Sequence, residues 1–254
     1  MKESMYHEMY KIENTNWWFC AKRDIVDSII TKIKKDHKVS NIIDLGCGCG
    51  ANLNMLAKHG TVTGVDYSDI AISYCRTHFD GALHNADLSK PIKNVHHKYD
   101  LAVVLDVLEH LPNDEIGLNN IRMLLEDHGI CIVTVPAHKW LWTKHDENCM
   151  HYRRYNYNDL RELITNCGFD IVFMSYYNCI LFPIACAVRF VSKLFSLNSK
   201  SEIENCNKSS IVNKVLYRIF LLEKHSLSKY KRLPYGLSLI AVITNGENQE
   251  EKNK

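Results

Sequence analysis

The run Asn41-Ile42-Ile43-Asp44-Leu45-Gly46-Cys47-Gly48-Cys49-Gly50, with Asp66 closing the next apolar stretch, constrains this chain more than any other feature. Three alternate glycines directly after a short β-type run let the backbone turn tightly and approach a ligand with no Cβ in the way. A helix beginning near Ala51 would aim its unpaired N–H groups at that ligand. Asp66, about twenty residues beyond the first glycine, can take two ribose hydroxyls through its two oxygens. The expected ligand is a nucleotide or nucleoside.

The pattern around this loop alternates between two periods. Strands are expected over 41–45, 61–66, 81–85, 100–105, 130–135 and 169–176, and helices over 16–35, 51–59, 69–79, 114–126 and 158–166. The run Asp-Leu-Ala-Val-Val-Leu at 100–105 is nearly all apolar, as a strand buried on both faces should be. Such alternation implies a parallel sheet with helices on both faces, and ligands in such sheets sit outside the carboxyl ends of the strands. A last strand at 237–244 follows about sixty residues that have helical patterning of their own.

With 254 residues, 46% of them hydrophobic, the chain can bury one substantial core plus an appendage. A formal net charge of +2 gives no overall electrostatic footprint for nucleic acid. The polar start Met1-Lys2-Glu3-Ser4-Met5 and the absence of any Cys-x-x-Cys pair among ten cysteines read as reduced thiols in a cytoplasmic protein. No apolar run reaches the roughly 18 residues that span a bilayer.

The spelling D-L-G-C-G-C-G, with an acid two residues ahead of the first glycine, resembles motif I of class I S-adenosylmethionine-dependent methyltransferases. That cofactor carries a sulfonium and an ammonium, which suit the Asp44 carboxylate; a pyrophosphate would be repelled by it. A nicotinamide-dependent reductase on the same sheet is disfavoured on this ground and by the glycine spacing. The resemblance implies a Rossmann-like sheet of seven strands, mostly parallel, the last inserted antiparallel beside strand 169–176. It makes 1–245 one domain, with an N-terminal lid over 1–37, a helical insertion over 178–235 and a disordered tail over 246–254. For the cofactor it implies that Gly46, Cys47, Gly48 and Gly50 approach the methionine and ribose. Asp66 would take the ribose hydroxyls, with Tyr67 flat against the adenine. Asp87 and Leu88 would meet the adenine edge, although Asp87 could equally cap a turn. Leu105 and Asp106 would meet the methionine ammonium, and Arg23 its carboxylate.

The chemistry is expected just past the fourth strand, in Asp106-Val107-Leu108-Glu109-His110. Methyl transfer to an alcohol needs a base near the acceptor, and His110 is the leading candidate, with His138, His145 and His151 as alternatives. Glu109 and His110 could instead cap and orient their loop. Asp106-x-x-Glu109-His110 resembles the E-x-x-E-H run that holds a divalent metal in ubiquinone-biosynthetic O-methyltransferases. Here Asp replaces the first Glu and shortens the reach, so no metal is expected. Trp140, Trp142, Arg153, Arg154 and Tyr155 crowd the loop after the fifth strand and are the expected acceptor-binding residues.

Asn16-Trp17-Trp18-Phe19, Val135-Pro136-Ala137-His138-Lys139-Trp140 and Leu233-Pro234-Tyr235-Gly236 together resemble a bacterial and archaeal methyltransferase group often associated with glycosyltransferases and surface-polysaccharide genes. The acceptor implied is the oxygen of a small molecule, a glycan or a lipid-linked glycan. A cofactor-binding scaffold without a catalytic base is the non-enzymatic alternative. Apolar, cation-bearing runs between 180 and 224 fit a cap over the acceptor pocket, a dimer contact or a peripheral membrane contact.

Overall fold

The computed structural model describes residues 3–92, 98–194 and 211–246. In chain order the elements are α1 (Glu3–Ile12), α2 (Trp17–Asp36), β1 (Asn41–Leu45), α3 (Leu53–Leu56), β2 (Thr61–Asp66), α4 (Asp69–Cys75), β3 (Ala82–Asn85) and β4 (Tyr99–Leu105). There follow α5 (Asp114–Leu124), β5 (Leu125–Pro136), α6 (Lys144–Asn148), α7 (Tyr157–Asn166) and β6 (Phe169–Tyr177). The chain closes with α8 (Phe182–Leu194), α9 (Ile211–Leu221), α10 (Lys224–Leu227) and β7 (Ser238–Asn245).

Seven strands form one sheet in the order β3-β2-β1-β4-β5-β7-β6, with β7 antiparallel to both neighbours and the other pairs parallel. Each face has its own core, and the period-2 alternation of β4 serves both. Leu101, Val103 and Leu105 pack on the side covered by α2, α4 and α9, while Ala102 and Val104 pack on the side covered by α5 and α7. The expected seven-stranded Rossmann-like sheet, with its antiparallel last strand, is the observed one.

Local chemistry accounts for the helix starts. Asn16 Oδ1 accepts the Trp18 N–H (2.9 Å), Ser68 Oγ that of Ala71 (3.3 Å) and Asn113 Oδ1 that of Ile116 (3.1 Å). Helix α2 buries Ile25, Ile29, Ile30 and Ile33 along one face.

The structure differs from the sequence expectation in several places. The helix expected over 51–59 shrinks to the single turn α3, bounded by turns, because Asn52, Asn54 and Gly60 are poor helix formers. Helix α5 stops at Leu124 rather than 126, and β5 begins at Leu125 with an irregular register before Ile130. The Trp17-Trp18 helix is not a free lid. Both indoles pack on Phe220 of α9, and Trp18 also stacks on Tyr177. Asn213 of α9 clamps the start of α2 by accepting the Trp17 N–H (2.8 Å) and donating to the Thr15 carbonyl (2.9 Å). The tail over 247–254 and the middle of the insertion, 195–210, lie outside the described residues.

Candidate active site

The carboxyl ends of β1, β2, β4, β5 and β6 share one edge of the sheet, and the candidate residues gather there. Gly48 stands at φ +56°, which suits a residue without Cβ. Its N–H donates to Asp66 Oδ2 (2.9 Å), and Asp66 Oδ1 accepts the Ser68 N–H (2.9 Å). Asp66 therefore braces the glycine loop. Asp44 lies beneath, almost fully buried, with Oδ2 lacking a hydrogen-bond partner among the described residues. Burial first, then the neighbouring Asp66, pushes its carboxyl up to about 7; Lys22 opposes this only in part. An orphaned acid under a glycine cradle is what a cationic nucleoside requires, so these residues fit S-adenosylmethionine.

That fit has a measurable consequence. A cation placed against Asp44 favours its ionised form, so binding below pH 7 is expected to release a proton. Affinity should then rise up to about tenfold per pH unit until near pH 7 and level off above it. Calorimetry at pH 6 in buffers of different ionisation enthalpy checks this, and Asp44→Asn should remove the dependence.

Helix α1 packs over the glycine loop and against α4. Tyr10 stacks on Tyr74 of α4 (4.1 Å), the Cys49 thiol donates to the Tyr6 carbonyl (3.4 Å), and a Cβ on Gly48 would stand 2.8 Å from Met9 Cε. The cleft left beside Tyr6 and Tyr67 measures about 260 Å³, smaller than the ~300–1,000 Å³ of ordinary ligand pockets. Deleting residues 1–12 is expected to speed both association and dissociation of the methyl donor, as measured by stopped-flow fluorescence.

The other expected cofactor contacts divide. Tyr67 is half exposed, edge-on to Tyr6. Leu105 and Leu88 are buried, and the Leu88 carbonyl accepts from Asn120 (2.8 Å). Asp87 caps a turn, accepting the Ser89 N–H (2.9 Å) and hydroxyl (2.6 Å). Arg23 donates to the Glu13 carbonyl (2.9 Å) and to Asn52 Oδ1 (3.4 Å), beside the turn that follows the glycine loop. Asp106, at φ +57°, holds Lys22 at 2.6 Å through Oδ2 and accepts the Thr134 hydroxyl at Oδ1 (2.9 Å). Burial alone would raise the Asp106 pKa, but the Lys22 ammonium and the hydrogen bonds outweigh it and lower it. Its expected ammonium partner is thus supplied by α2, a contact sequence reading missed.

Beyond β4 lies the cluster Glu109, His110 and His151, whose ligand atoms come within 4.8 Å of one another. His151 comes from the loop after α6, where its Nδ1 pairs with Asp146 Oδ1 (2.9 Å) and its ring meets His110 edge-on (4.6 Å). Asp146 is fully buried and takes Arg154 through both oxygens (2.7 and 3.0 Å) as well as the Thr143 N–H (2.8 Å). Burial pushes the Glu109 carboxyl up, with Asp106 adding to it. Burial likewise, then His151, depresses His110 to about 3. The expected leading base is therefore a weak one. Glu109, His110 and His151 could also hold a divalent cation; Asp106, engaged with Lys22, is not part of that set.

The loop after β5 corrects the acceptor expectations. Arg154 is buried on Asp146 and the Ala137 carbonyl (3.1 Å). Arg153 pairs with Asp114 (2.7 Å) and donates to the Pro112 carbonyl (2.6 Å), while the Tyr155 hydroxyl donates to Asp114 (2.7 Å). These three staple the loop to the sheet edge and α5. His138, Tyr176 and Tyr235 form a three-ring cluster, His138 lying 5.2 and 4.7 Å from the two tyrosines, and His145 turns toward the Cys149 thiol. Trp140 and Trp142 alone remain substantially exposed.

A family profile described as "Methyltransferase domain" matches residues 18–173. The ubiquinone biosynthesis O-methyltransferase of Coxiella burnetii is 31% identical over 127 residues, covering 45% of this chain and 54% of that protein. The chain thus spans about half the length of the curated relatives it matches. Its fold is similar to an S-adenosylmethionine-dependent methyltransferase from Clostridium acetobutylicum (TM-score 0.57, 11% identity, 89% of this chain and 92% of that one). It is similar also to a SAM-dependent methyltransferase from Archaeoglobus fulgidus (TM-score 0.54, 16% identity, 87% and 94%). With the glycine loop, Asp44 and Asp66 at the carboxyl ends of this sheet, the profile match shows that the chain belongs to the methyltransferase-domain family, built on the class I fold whose methyl donor is S-adenosylmethionine.

Proposed function

We propose that the protein transfers a methyl group from S-adenosylmethionine to a hydroxyl oxygen of a small molecule or glycan, including a lipid-linked one. The observation that carries the choice of oxygen is His151, held by buried Asp146 next to the carboxyl end of β4. An alcohol must lose its proton as it attacks, whereas a neutral amine already carries its lone pair. The Asp146 carboxylate accepts from Nδ1, which fixes the tautomer and leaves Nε2 to take that proton. His110 packs against the His151 ring and orients it.

The cofactor supplies the electrophilic methyl carbon. Gly46, Gly48 and Asp66 would hold its nucleoside end, Tyr67 would cover the ring and Asp44 would face its positive charge. Lys22 and Thr134 keep Asp106 rigid beside the transfer point. Helix α1, packed against the glycine loop and α4, would screen the bound donor from water.

The test is transfer of tritiated methyl from the donor into a native cell extract, with identification of the labelled product. Label in an ether or ester oxygen supports the reading, and Asp66→Ala should abolish it. Label on nitrogen or carbon overturns the choice of oxygen. No label despite donor binding supports the scaffold alternative.

A further inference from the structure

The segment between β6 and β7 is charged differently from the rest of the chain. Residues 178–235 carry ten Lys or Arg against three Glu, leaving 21 Lys or Arg against 26 Asp or Glu elsewhere. One of the three acids, Glu223, is buried, its Oε1 accepting the N–H groups of Cys179 (2.7 Å) and Ile180 (2.9 Å). Among its described residues, Lys214, Arg218, Lys229, Lys231 and Arg232 are exposed, so the described surface of the segment is cationic.

It is also apolar on the outside. On α8, Ile184 and Val188 lie four apart and are 60% and 56% exposed, in line with exposed Ile180 ahead of the helix. On α9, Ile211 is 80% exposed and shares a face with exposed Val215 and Leu222, flanked by exposed Lys214 and Arg218. A surface helix ordinarily turns its apolar stripe to the core. Here α9 packs inward through Phe220 and Asn213 and still presents a second apolar stripe to solvent.

Aromatic side chains border α8. Phe182 touches the rings of Trp140 and Tyr235, both more than half exposed, and Tyr235 follows exposed Lys231 and Arg232. Exposed aliphatics on helices, a Trp and a Tyr beside them and exposed cations in the same segment suit the interface of an anionic bilayer. A second copy of the chain would bring like charges together. No described helix is long and apolar enough to cross a membrane.

We infer that α8, α9 and the Tyr235 loop, which meet where Glu223 accepts the Cys179 and Ile180 N–H groups and Phe182 touches Tyr235, seat on an anionic membrane surface. Trp140 follows the carboxyl end of β5, so the seated face adjoins the edge of the sheet that carries the candidate active site. Acceptors displayed on lipid would then be met in place. The inference does not rest on the methyl-transfer reading, because seating can be measured with no methyl donor present.

The test is co-sedimentation of the full chain with phosphatidylcholine vesicles, with and without about 30% phosphatidylglycerol, at low salt and at about 0.5 M NaCl. The expected result is at least tenfold more binding to the anionic vesicles, largely lost at high salt. Ile184→Glu with Val188→Glu should abolish binding. Lys231→Glu with Arg232→Glu should remove the preference for anionic lipid. Unchanged circular dichroism and donor affinity would show both variants folded. No low-salt binding, full binding by the Ile184/Val188 variant, or a stable dimer that ignores vesicles would each overturn the inference.

Discussion

Replacing His151 with alanine is expected to lower turnover by about 10²–10⁴-fold, the usual contribution of a positioned base, while donor affinity stays unchanged. His110→Ala should cost far less, because burial and the adjacent His151 already depress its basicity to about 3. Single-turnover kinetics with saturating donor separates the two, and imidazole should partly rescue the His151 variant. The same measurement decides between proton acceptor and metal ligand. Turnover unaffected by a chelator supports the base; loss that a divalent cation restores would transfer the role of Glu109, His110 and His151 to metal binding.

The second large effect concerns stability. Asp146→Ala would leave the Arg154 guanidinium buried without a counter-charge and would unhook Thr143 and His151 together. Breaking a buried pair from one side costs about 3–5 kcal/mol, which in a chain of this size lowers Tm by roughly 6–20 °C. Arg154→Ala should cost a similar amount, and the double variant less than the two together, as a double-mutant cycle would show. Burial alone would raise the Asp146 pKa, but His151 and Arg154 outweigh it and hold the carboxyl well below the usual range. A depressed acid stabilises the fold above its unfolded value, about 3.9, and that stability is lost as the pH falls below it. The wild-type chain should therefore lose stability below about pH 4, and the Asp146 variant should lose less of it there.

The contrast between these residues and the glycine loop shows what a chain reveals on reading. Gly46, Gly48, Gly50 and Asp66 were legible because tight turns and close backbone approach are local demands, met by residue types at short spacing. The strands were legible for a similar reason, since a strand buried on both faces imposes a short continuous apolar run, as over Leu101 to Leu105, whatever lies elsewhere. His151 was only one histidine among four. Its claim rests on Asp146 being buried beside it, and no spacing rule says which carboxylate a loop histidine will find.

Arg153, Arg154 and Tyr155 misled for the same reason. A cluster of polar and aromatic side chains looks alike whether it faces a ligand or staples its own loop, and burial with Asp114 and Asp146 made these three staples. The Lys22–Asp106 pair joins residues 84 positions apart, so it existed only once α2 had packed beside β4. Sequence alone thus determined the strands and the tight turn of the glycine loop, because backbone conformation and hydrophobic period are short-range properties, while resemblance to a known fold supplied the antiparallel placement of the last strand. Tertiary structure alone decided which acid meets which cation, which histidine is backed by a carboxylate and which helix packs over the glycine loop, because charges and rings choose partners through space.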